Sequence, residues 1–176
     1  MPRPSRASRS ARGGVWASMD RFVANYTSRF DAKGRVSIPA AFRTVLARDG
    51  YEGLYCYPSL DRPAIDAGGN ALLGEIERLI GRFSPYSEER EELLVALYGR
   101  SETLKIDTEG RVILTDVLRN HAGIGEAATF VGLGHRFQIW EPERFRAHLE
   151  KATTTVRTLT KRLGSERGMP GEGARE

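Results

Sequence analysis

The residue types that carry most enzyme chemistry are sparse in this chain of 176 residues. Its histidines, His121, His135 and His148, share no metal-ligand spacing, and we expect each to be a surface or helix-end residue. The single cysteine, Cys56, lies between two tyrosines in an apolar run, which predicts a buried small side chain rather than a nucleophile. The glycines of residues 132–134 predict a hairpin turn, not a phosphate loop. The sequence therefore predicts a non-enzyme with no catalytic residue, metal, cofactor or small-molecule substrate.

Two Asp-x-x-Gly-Arg segments, Asp31–Arg35 and Asp107–Arg111, stand out instead. They belong to an internal repeat in which residues 26–43 align with residues 102–119 at a shift of 76 positions. Six of the 18 aligned pairs are identical, whereas chance would give about one, which indicates a duplication. The identical pairs are Thr27/Thr103, Asp31/Asp107, Gly34/Gly110, Arg35/Arg111, Val36/Val112 and Arg43/Arg119.

Each segment predicts a tight turn between two short strands, forming a hairpin of the glycine-bulge kind. The aspartate can accept hydrogen bonds from the following backbone, and the glycine tolerates a positive φ. Turn chemistry does not account for Arg35 and Arg111. Because Val36 and Ile38 are predicted to face the core, alternation along the strand places Arg35 on the outward face, and Arg111 has the matching position.

These outward arginines have two interpretations, which are compatible. A β-ribbon fits the major groove of DNA, where arginine can reach guanine O6 and N7. Alternatively, an ion pair from Arg35 to Asp31 holds the hairpin. The surrounding charge favours the first turn as the phosphate-facing patch, because its bases outnumber its acids and the reverse holds at the second turn. Around the first turn the bases are Arg21, Arg29, Lys33, Arg35 and Arg43, and the acids are Asp20 and Asp31.

The net charge of +4 comes entirely from the first 18 residues, which contain four arginines and no acid. Residues 19–176 hold 23 basic and 23 acidic side chains. The composition of these 18 residues predicts disorder. They are either a basic arm that contacts phosphates or an extension ahead of a start at Met19. It lacks the apolar stretch of a signal peptide, and no run approaches the ~18 apolar residues of a membrane span. One cysteine fits a reducing cytoplasm.

Beyond the turns, each half is expected to continue as helix and hairpin, so that two interlocked halves build one β-rich α+β core. Pro39 suits the first turn of one helix, Thr115 can cap its counterpart, and Gly50 and Gly123 predict their ends. The later strands are expected at residues 53–57, 64–65, 127–131 and 137–140.

Helices are predicted after each half. An apolar stripe at Ile76, Leu79, Ile80 and Phe83 precedes Ser84-Pro85, and Ser87 can cap a second helix. A last helix opens with Pro142 and carries one apolar seam between residues 145 and 163, which could pack on its own domain or on a neighbouring subunit. The predicted divisions are a leader at 1–18, first repeat at 19–68, helical linker at 69–99, second repeat at 100–145, C-terminal helix at 146–163 and flexible tail at 164–176.

At these residues the sequence resembles the MraZ family of bacterial regulators, within the AbrB/SpoVT superfamily. The resemblance covers residues 19–150 and departs from the family pattern in the leader, at Asp116, where the family often has proline, and at residues 66–68, where an aromatic-proline pair is common. It is carried by the paired Asp-x-x-x-Arg motifs and by Gly34–Pro39, Leu118–Gly123, Val131–Gly132 and Phe137–Trp140.

The resemblance implies a tandem swapped-hairpin β-barrel with peripheral helices, assembled as a ring-shaped homo-oligomer. It implies a cytoplasmic, nucleoid-associated repressor that binds short direct repeats in double-stranded DNA upstream of its own division and cell-wall gene cluster. Two other classes stay open: a structural or adaptor ring with a protein partner, and a DNA-binding antitoxin of the same superfamily. The expected DNA-binding residues are Arg35, Lys33, Arg29, Arg43 and Arg111.

Overall fold

The structure is a computed structural model that describes residues 20–166; the predicted leader and most of the predicted tail lie outside these residues. It is α+β, as expected. The described residues divide into two units at residues 141 and 142, so the last helix is described by itself. In chain order the elements are β1 Asn25–Arg29, β2 Arg35–Ser37, α1 Ala40–Asp49, β3 Leu54–Pro58, β4 Ala64–Gly68, α2 Asn70–Ile80, α3 Glu88–Leu94, a π-helical segment Val95–Gly99, β5 Glu102–Leu104, β6 Arg111–Ile113, α4 Asp116–Ala122, β7 Ala127–Gly132, β8 Phe137–Trp140 and α5 Pro142–Glu166.

The predicted helix boundaries of the two repeats are confirmed. Pro39 directly precedes α1, and Gly50 ends it in the left-handed conformation at φ 78°. Thr115 caps α4 because its hydroxyl accepts a hydrogen bond from the backbone N–H of Leu118 at 3.4 Å. Gly123 ends α4, again left-handed, at φ 65°. The helices of both repeats therefore begin and end through the same kinds of local interaction.

The two repeats exchange strands. One sheet has six antiparallel strands in the order β1-β7-β8-β4-β3-β5, so β1 of the first repeat pairs with β7 of the second, and β5 of the second pairs with β3 of the first. A separate two-stranded ribbon joins β2 to β6. The hairpins β3–β4 and β7–β8 form as expected.

The prediction that β1 pairs locally with β2 across the first Asp–Gly turn is wrong, as is its counterpart for β5 and β6. The turns form, but the strands that follow them pair with each other instead. An isolated two-stranded hairpin buries little apolar surface. Pairing β2 with β6 places Val36 opposite Val112 with both side chains inside the protein, which a local hairpin cannot do.

One hydrophobic core lies between the repeats. Rings from both halves meet there: Phe42 lies 5.3 Å from Phe22 and 5.0 Å from Phe137 between ring centroids. A second cluster lies between the opposite face of β3 and the helices, and it consists of Tyr55, Tyr57, Leu72, Ile76, Ile80 and Leu97, with partly buried neighbours. Strand β3 is therefore buried on both faces.

The predicted apolar stripe of α2 is correct only at Ile76 and Ile80. Leu79 and Phe83 are exposed, and Leu72 takes their place inside. The helix begins at Asn70 and ends at Ile80, so its buried positions recur every four residues from Leu72 and Phe83 falls beyond it.

Helix α5 extends beyond the predicted division of residues 146–163 at both ends, although its start agrees with the helix predicted to open with Pro142. It begins at Pro142, as the helix-start chemistry of proline favours, and it includes residues 164–166 of the predicted tail. Four side chains of its apolar seam are exposed, namely Leu149, Val156, Leu159 and Leu163.

Gly132 in β7 is required by the exchange of strands. A Cβ at this position would lie less than 3.0 Å from backbone atoms of Phe22 and Val23, whereas a Cβ at Gly125 would meet nothing within 4 Å. Because backbone cannot move aside cheaply, we expect Gly132→Ala to lower the free energy of unfolding by about 2–3 kcal/mol. Gly125→Ala, the matched control, should change it by less than about 0.5 kcal/mol. Urea denaturation of both variants measures the difference, and equal midpoints would contradict the assigned packing.

Candidate nucleic-acid interface

In the first turn, one carboxylate holds both the backbone and the arginine. Oδ1 of Asp31 accepts hydrogen bonds from the backbone N–H groups of Lys33 and Arg35, each at 2.9 Å. Oδ2 accepts from Nε of Arg35 at 2.7 Å. The turn closes with Gly34 at φ 77°, as predicted. The ion pair expected from the sequence is therefore present, and it fixes the direction of the arginine side chain.

The second turn repeats this geometry. Oδ1 of Asp107 accepts from the backbone N–H groups of Glu109 and Arg111 at 2.9 Å, and Oδ2 accepts from Nε of Arg111 at 2.8 Å. Gly110 has the same φ as its counterpart, 77°. Duplication has thus preserved a complete turn with its bound arginine.

The β2–β6 ribbon brings the two arginines to one surface. Val36 and Val112 are paired and buried, so the neighbouring positions on both strands face outward. Arg35 is paired with Ile113, and Arg111 with Ser37, which makes the arginines diagonal neighbours, typically about 7–8 Å apart at Cα in an antiparallel pair. Sequence reasoning missed Ser37 and Ile113 as members of this outward face, since their place depends on which strand β2 pairs with.

The charged side chains of the two turns shift one another's pKa values. The pKa of Asp31 is lowered, chiefly because its carboxylate accepts the backbone N–H of Arg35, and the Arg35 side chain adds to the effect. The pKa of Asp107 is lowered in the same way by Arg111. The pKa of Arg111 is raised, first by its hydrogen bond to Asp107 and to a smaller extent by the charge of Asp31 from the other repeat. The carboxylates thus remain ionised at neutral pH.

The two arginines differ in how much of the guanidinium is occupied. Nη2 of Arg111 also pairs with Glu109 at 2.8 Å. At the equivalent position the first repeat has Lys33, and Nη1 and Nη2 of Arg35 make no hydrogen bond to any residue between 20 and 166. The first turn therefore presents a cation with two uncommitted terminal nitrogens, in agreement with its more basic surroundings in the sequence.

The structure separates the other basic residues that the sequence groups with the first turn. Arg29, at the end of β1, makes a long ion pair of 3.5 Å with Glu126, and both side chains are largely exposed. Arg21 contacts the ring of His135, an exposed residue as expected.

Arg43 lies against the second turn rather than the first. Its Nη1 donates to the carbonyl oxygen of Glu109 at 3.5 Å, and its side chain covers Gly110, leaving no room for a Cβ there. Its counterpart Arg119 reaches the opposite way, with its guanidinium 4.3 Å from the ring centroid of Phe30. Each helix arginine thus packs on the turn region of the other repeat, because the repeats exchange strands.

No group of three or more His, Cys, Asp or Glu side chains among residues 20–166 could hold a metal ion. No helix in the same range is long and apolar enough to cross a membrane.

Fold and site together define an α+β protein of two interlocked repeats that presents paired Asp–Arg turns on one ribbon. Residues 97–164 match the family model described as "MraZ protein, putative antitoxin-like". A relative from Xanthobacter autotrophicus is 64% identical over 152 residues, covering 86% of this chain and 97% of the relative. Relatives from Azorhizobium caulinodans and Rhizobium johnstonii are 63% and 44% identical, covering 87% and 73% of this chain and 98% and 89% of their own. All three are named transcriptional regulator MraZ, and this chain belongs to the MraZ family of transcriptional regulators.

The lowered pKa values of Asp31 and Asp107 predict acid sensitivity of the turns. Both carboxyl groups have a lower pKa in the folded chain than the ordinary value of 3.8, so the unfolded chain binds protons at these groups more readily. The ionised carboxylates therefore stabilise the fold above about pH 3.8, and this stabilisation is lost as the pH falls through the folded pKa. We expect the double variant Asp31→Asn/Asp107→Asn to lose less stability than the wild type between pH 5 and pH 2. Midpoints of urea denaturation across this pH range measure the loss of stability in each protein. Asp61→Asn, in the exposed turn between β3 and β4, is the control; an identical pH dependence in wild type and double variant would contradict the prediction.

Proposed function

We propose that this chain is a sequence-specific DNA-binding repressor without catalytic activity. Its family membership makes it a transcriptional regulator; the finer statements are our proposal. The target is short direct repeats in the promoter of its own division and cell-wall gene cluster. The protein would act in the cytoplasm on the nucleoid, as a ring-shaped homo-oligomer.

The observation that carries the proposal is the placement of Arg35 and Arg111 on one outward face of the β2–β6 ribbon. A two-stranded ribbon has the dimensions to enter the major groove. Asp31 holds Arg35 through Nε, which leaves Nη1 and Nη2 for guanine O6 and N7. An arginine already held in place loses less conformational freedom when it binds.

The remaining basic residues would take different roles. Lys33 is exposed at the tip of the first turn, and Arg29 is exposed at its edge, so both are suited to phosphates. Arg43 would act by holding the second turn and adding positive charge beside it. Arg111 would contribute less to base contact than Arg35, because Glu109 occupies one of its terminal nitrogens.

Oligomerisation follows from the weakness of a single contact. The body of the chain has equal numbers of basic and acidic residues, so one ribbon has little long-range attraction for DNA. Several ribbons on one assembly could each bind one repeat and gain affinity through avidity. The exchange of β1 and β5 between repeats supports a tandem swapped-hairpin barrel as the unit of this assembly. The exposed apolar seam of α5 is available to a neighbouring subunit.

The first experiment replaces the arginines one at a time. We expect Arg35→Ala to weaken binding to DNA from upstream of the protein's own gene by at least about tenfold, and more when several copies bind together. Arg111→Ala should weaken it less. Fluorescence anisotropy at fixed salt measures affinity, and light scattering checks the assembly. Unchanged affinity would contradict the assigned contact, and loss of the assembly would show that Arg35 is structural. Failure of the wild type to prefer this DNA over competitor DNA would favour the adaptor ring.

The second experiment separates phosphate contacts from base contacts. Lys33→Ala should weaken binding to promoter and unrelated DNA by a similar factor, and lower the salt slope by about one unit per ribbon bound. Lys161→Ala, an exposed lysine of α5, serves as the charge-matched control. The measurement is the slope of log affinity against log salt concentration. A change in sequence preference without a change in slope would assign Lys33 to the bases instead.

A further inference from the structure

A cavity of about 450 Å³ lies on the side of β3 and β4 covered by α2 and the π-helical segment. Its volume falls within the range of small-molecule sites. The ribbon contributes none of its lining residues. Its apolar, buried wall is formed by Leu72, Ile76 and Leu97.

The hydroxyl groups of two buried residues open into this cavity and have no hydrogen-bond partner among residues 20–166. Tyr57 is 6% exposed and Ser59 is 2% exposed, and both line the space. Neither hydroxyl makes a hydrogen bond to a residue between 20 and 166, and neither is sealed from solvent. Buried polar groups are normally hydrogen-bonded. These hydroxyls are therefore free to donate to, or accept from, a molecule in the cavity.

A buried carboxylate also lines the cavity, on the strand next to Tyr57. Asp66 is directly opposite Tyr57 in the β3–β4 pair, so both side chains leave the same face of the sheet. Burial raises the pKa of Tyr57, and the charge of Asp66 raises it further, which keeps the phenol neutral and able to donate. Oδ1 of Asp66 accepts from Nε2 of Gln138 at 2.9 Å and from Nε of Arg136 at 3.1 Å. Oδ2 has no hydrogen-bond partner among the described residues.

The interior and the rim of the cavity present different polar groups. Inside, the buried carboxylate of Asp66 is paired with Arg136, which also reaches the partly exposed carboxylate of Glu75 at 3.3 Å. Toward the rim, the exposed side chains of Arg78 and Arg82 make no ion pair with residues 20–166, and the acids that line this part are Asp61 and Glu75. The interior thus suits a group rich in hydrogen-bond donors, and the rim suits an anion.

We propose that this cavity is a binding site for a phosphorylated, hydroxyl-rich small molecule of the sugar phosphate class. The hydroxyl groups would lie inward, bonded to Oδ2 of Asp66 and to Tyr57 and Ser59. The phosphate would lie at the rim, between Arg78 and Arg82. Such a site lies apart from the ribbon and does not depend on the proposed DNA binding.

The test is calorimetric titration of the full chain with glucose 1-phosphate, with glucose and inorganic phosphate as separate probes. Because the two ends of the ligand meet different groups, we expect saturable binding of glucose 1-phosphate at one site per chain, at least about tenfold tighter than either fragment. No saturable binding at millimolar concentration would overturn the proposal. Equal affinity for inorganic phosphate would also overturn it, since that result reports the rim arginines alone.

Variants assign the two ends of the site. Tyr57→Phe keeps the ring and removes the hydroxyl. It should weaken the binding of glucose 1-phosphate by about tenfold and leave the affinity for inorganic phosphate unchanged. The double variant Arg78→Ala/Arg82→Ala should bind glucose 1-phosphate no more tightly than the wild type binds glucose. Tyr86→Phe, which alters an exposed tyrosine, is the matched control. Ser59→Ala provides a second interior variant if Tyr57→Phe unfolds, and wild-type affinity in both interior variants would overturn the proposed orientation.

Discussion

The pairing of Val36 with Val112 is the contact on which the rest of the molecule depends. Each valine lies in a strand of only three residues, too short to be stable by itself. Burying both side chains contributes about 1.5–3 kcal/mol each relative to exposure. The same pairing brings the two turns together and places Arg35 and Arg111 on one surface, and β1 and β5 pair with strands of the opposite repeat. Helix arginines then pack across the repeats, Arg43 on the second turn and Arg119 on Phe30.

Each Asp–Arg turn orders its backbone and positions its arginine with the same carboxylate. The carboxylate accepts two backbone N–H groups and one Nε–H, so it satisfies the turn and orients the arginine together. An exposed ion pair of this kind adds little stability by itself. Its value here is orientation, because no residue between 20 and 166 bonds to the terminal nitrogens of Arg35. The two interpretations of Arg35 from the sequence are therefore not rivals. The second repeat shows the contrast, since Glu109 takes up one terminal nitrogen of Arg111 and makes that turn a weaker candidate for contact with DNA.

Strand β3 divides the protein into two chemically different halves. Leu54 and Cys56 face the core shared by the repeats, whose far side carries the ribbon. Tyr55 and Tyr57 face α2 and the cavity. Burial raises the pKa of Cys56 to about 12, which keeps it an unreactive thiol, as its apolar neighbours in the sequence suggested. Polar side chains on the cavity side are costly to bury. Oδ1 of Asp66 accepts from Arg136 and Gln138, whereas the hydroxyls of Tyr57 and Ser59 have no hydrogen-bond partner among residues 20–166.

The sequence by itself determined what depends on neighbouring residues: the Asp–Gly turns, the helix caps at Thr115 and Ser87, the second hairpin of each repeat, and the outward direction of Arg35 and Arg111. These follow from backbone chemistry within a few positions, and the structure confirms them. Tertiary structure decided which strands pair, because a strand of three residues carries too little pattern to choose its partner. It therefore also decided that Arg43 belongs to the second turn, that Ser37 and Ile113 join the ribbon surface, and that Asp66 meets Tyr57 at a cavity. Each of these depends on residues that are distant in the chain and are brought together only when the two repeats bury a common core.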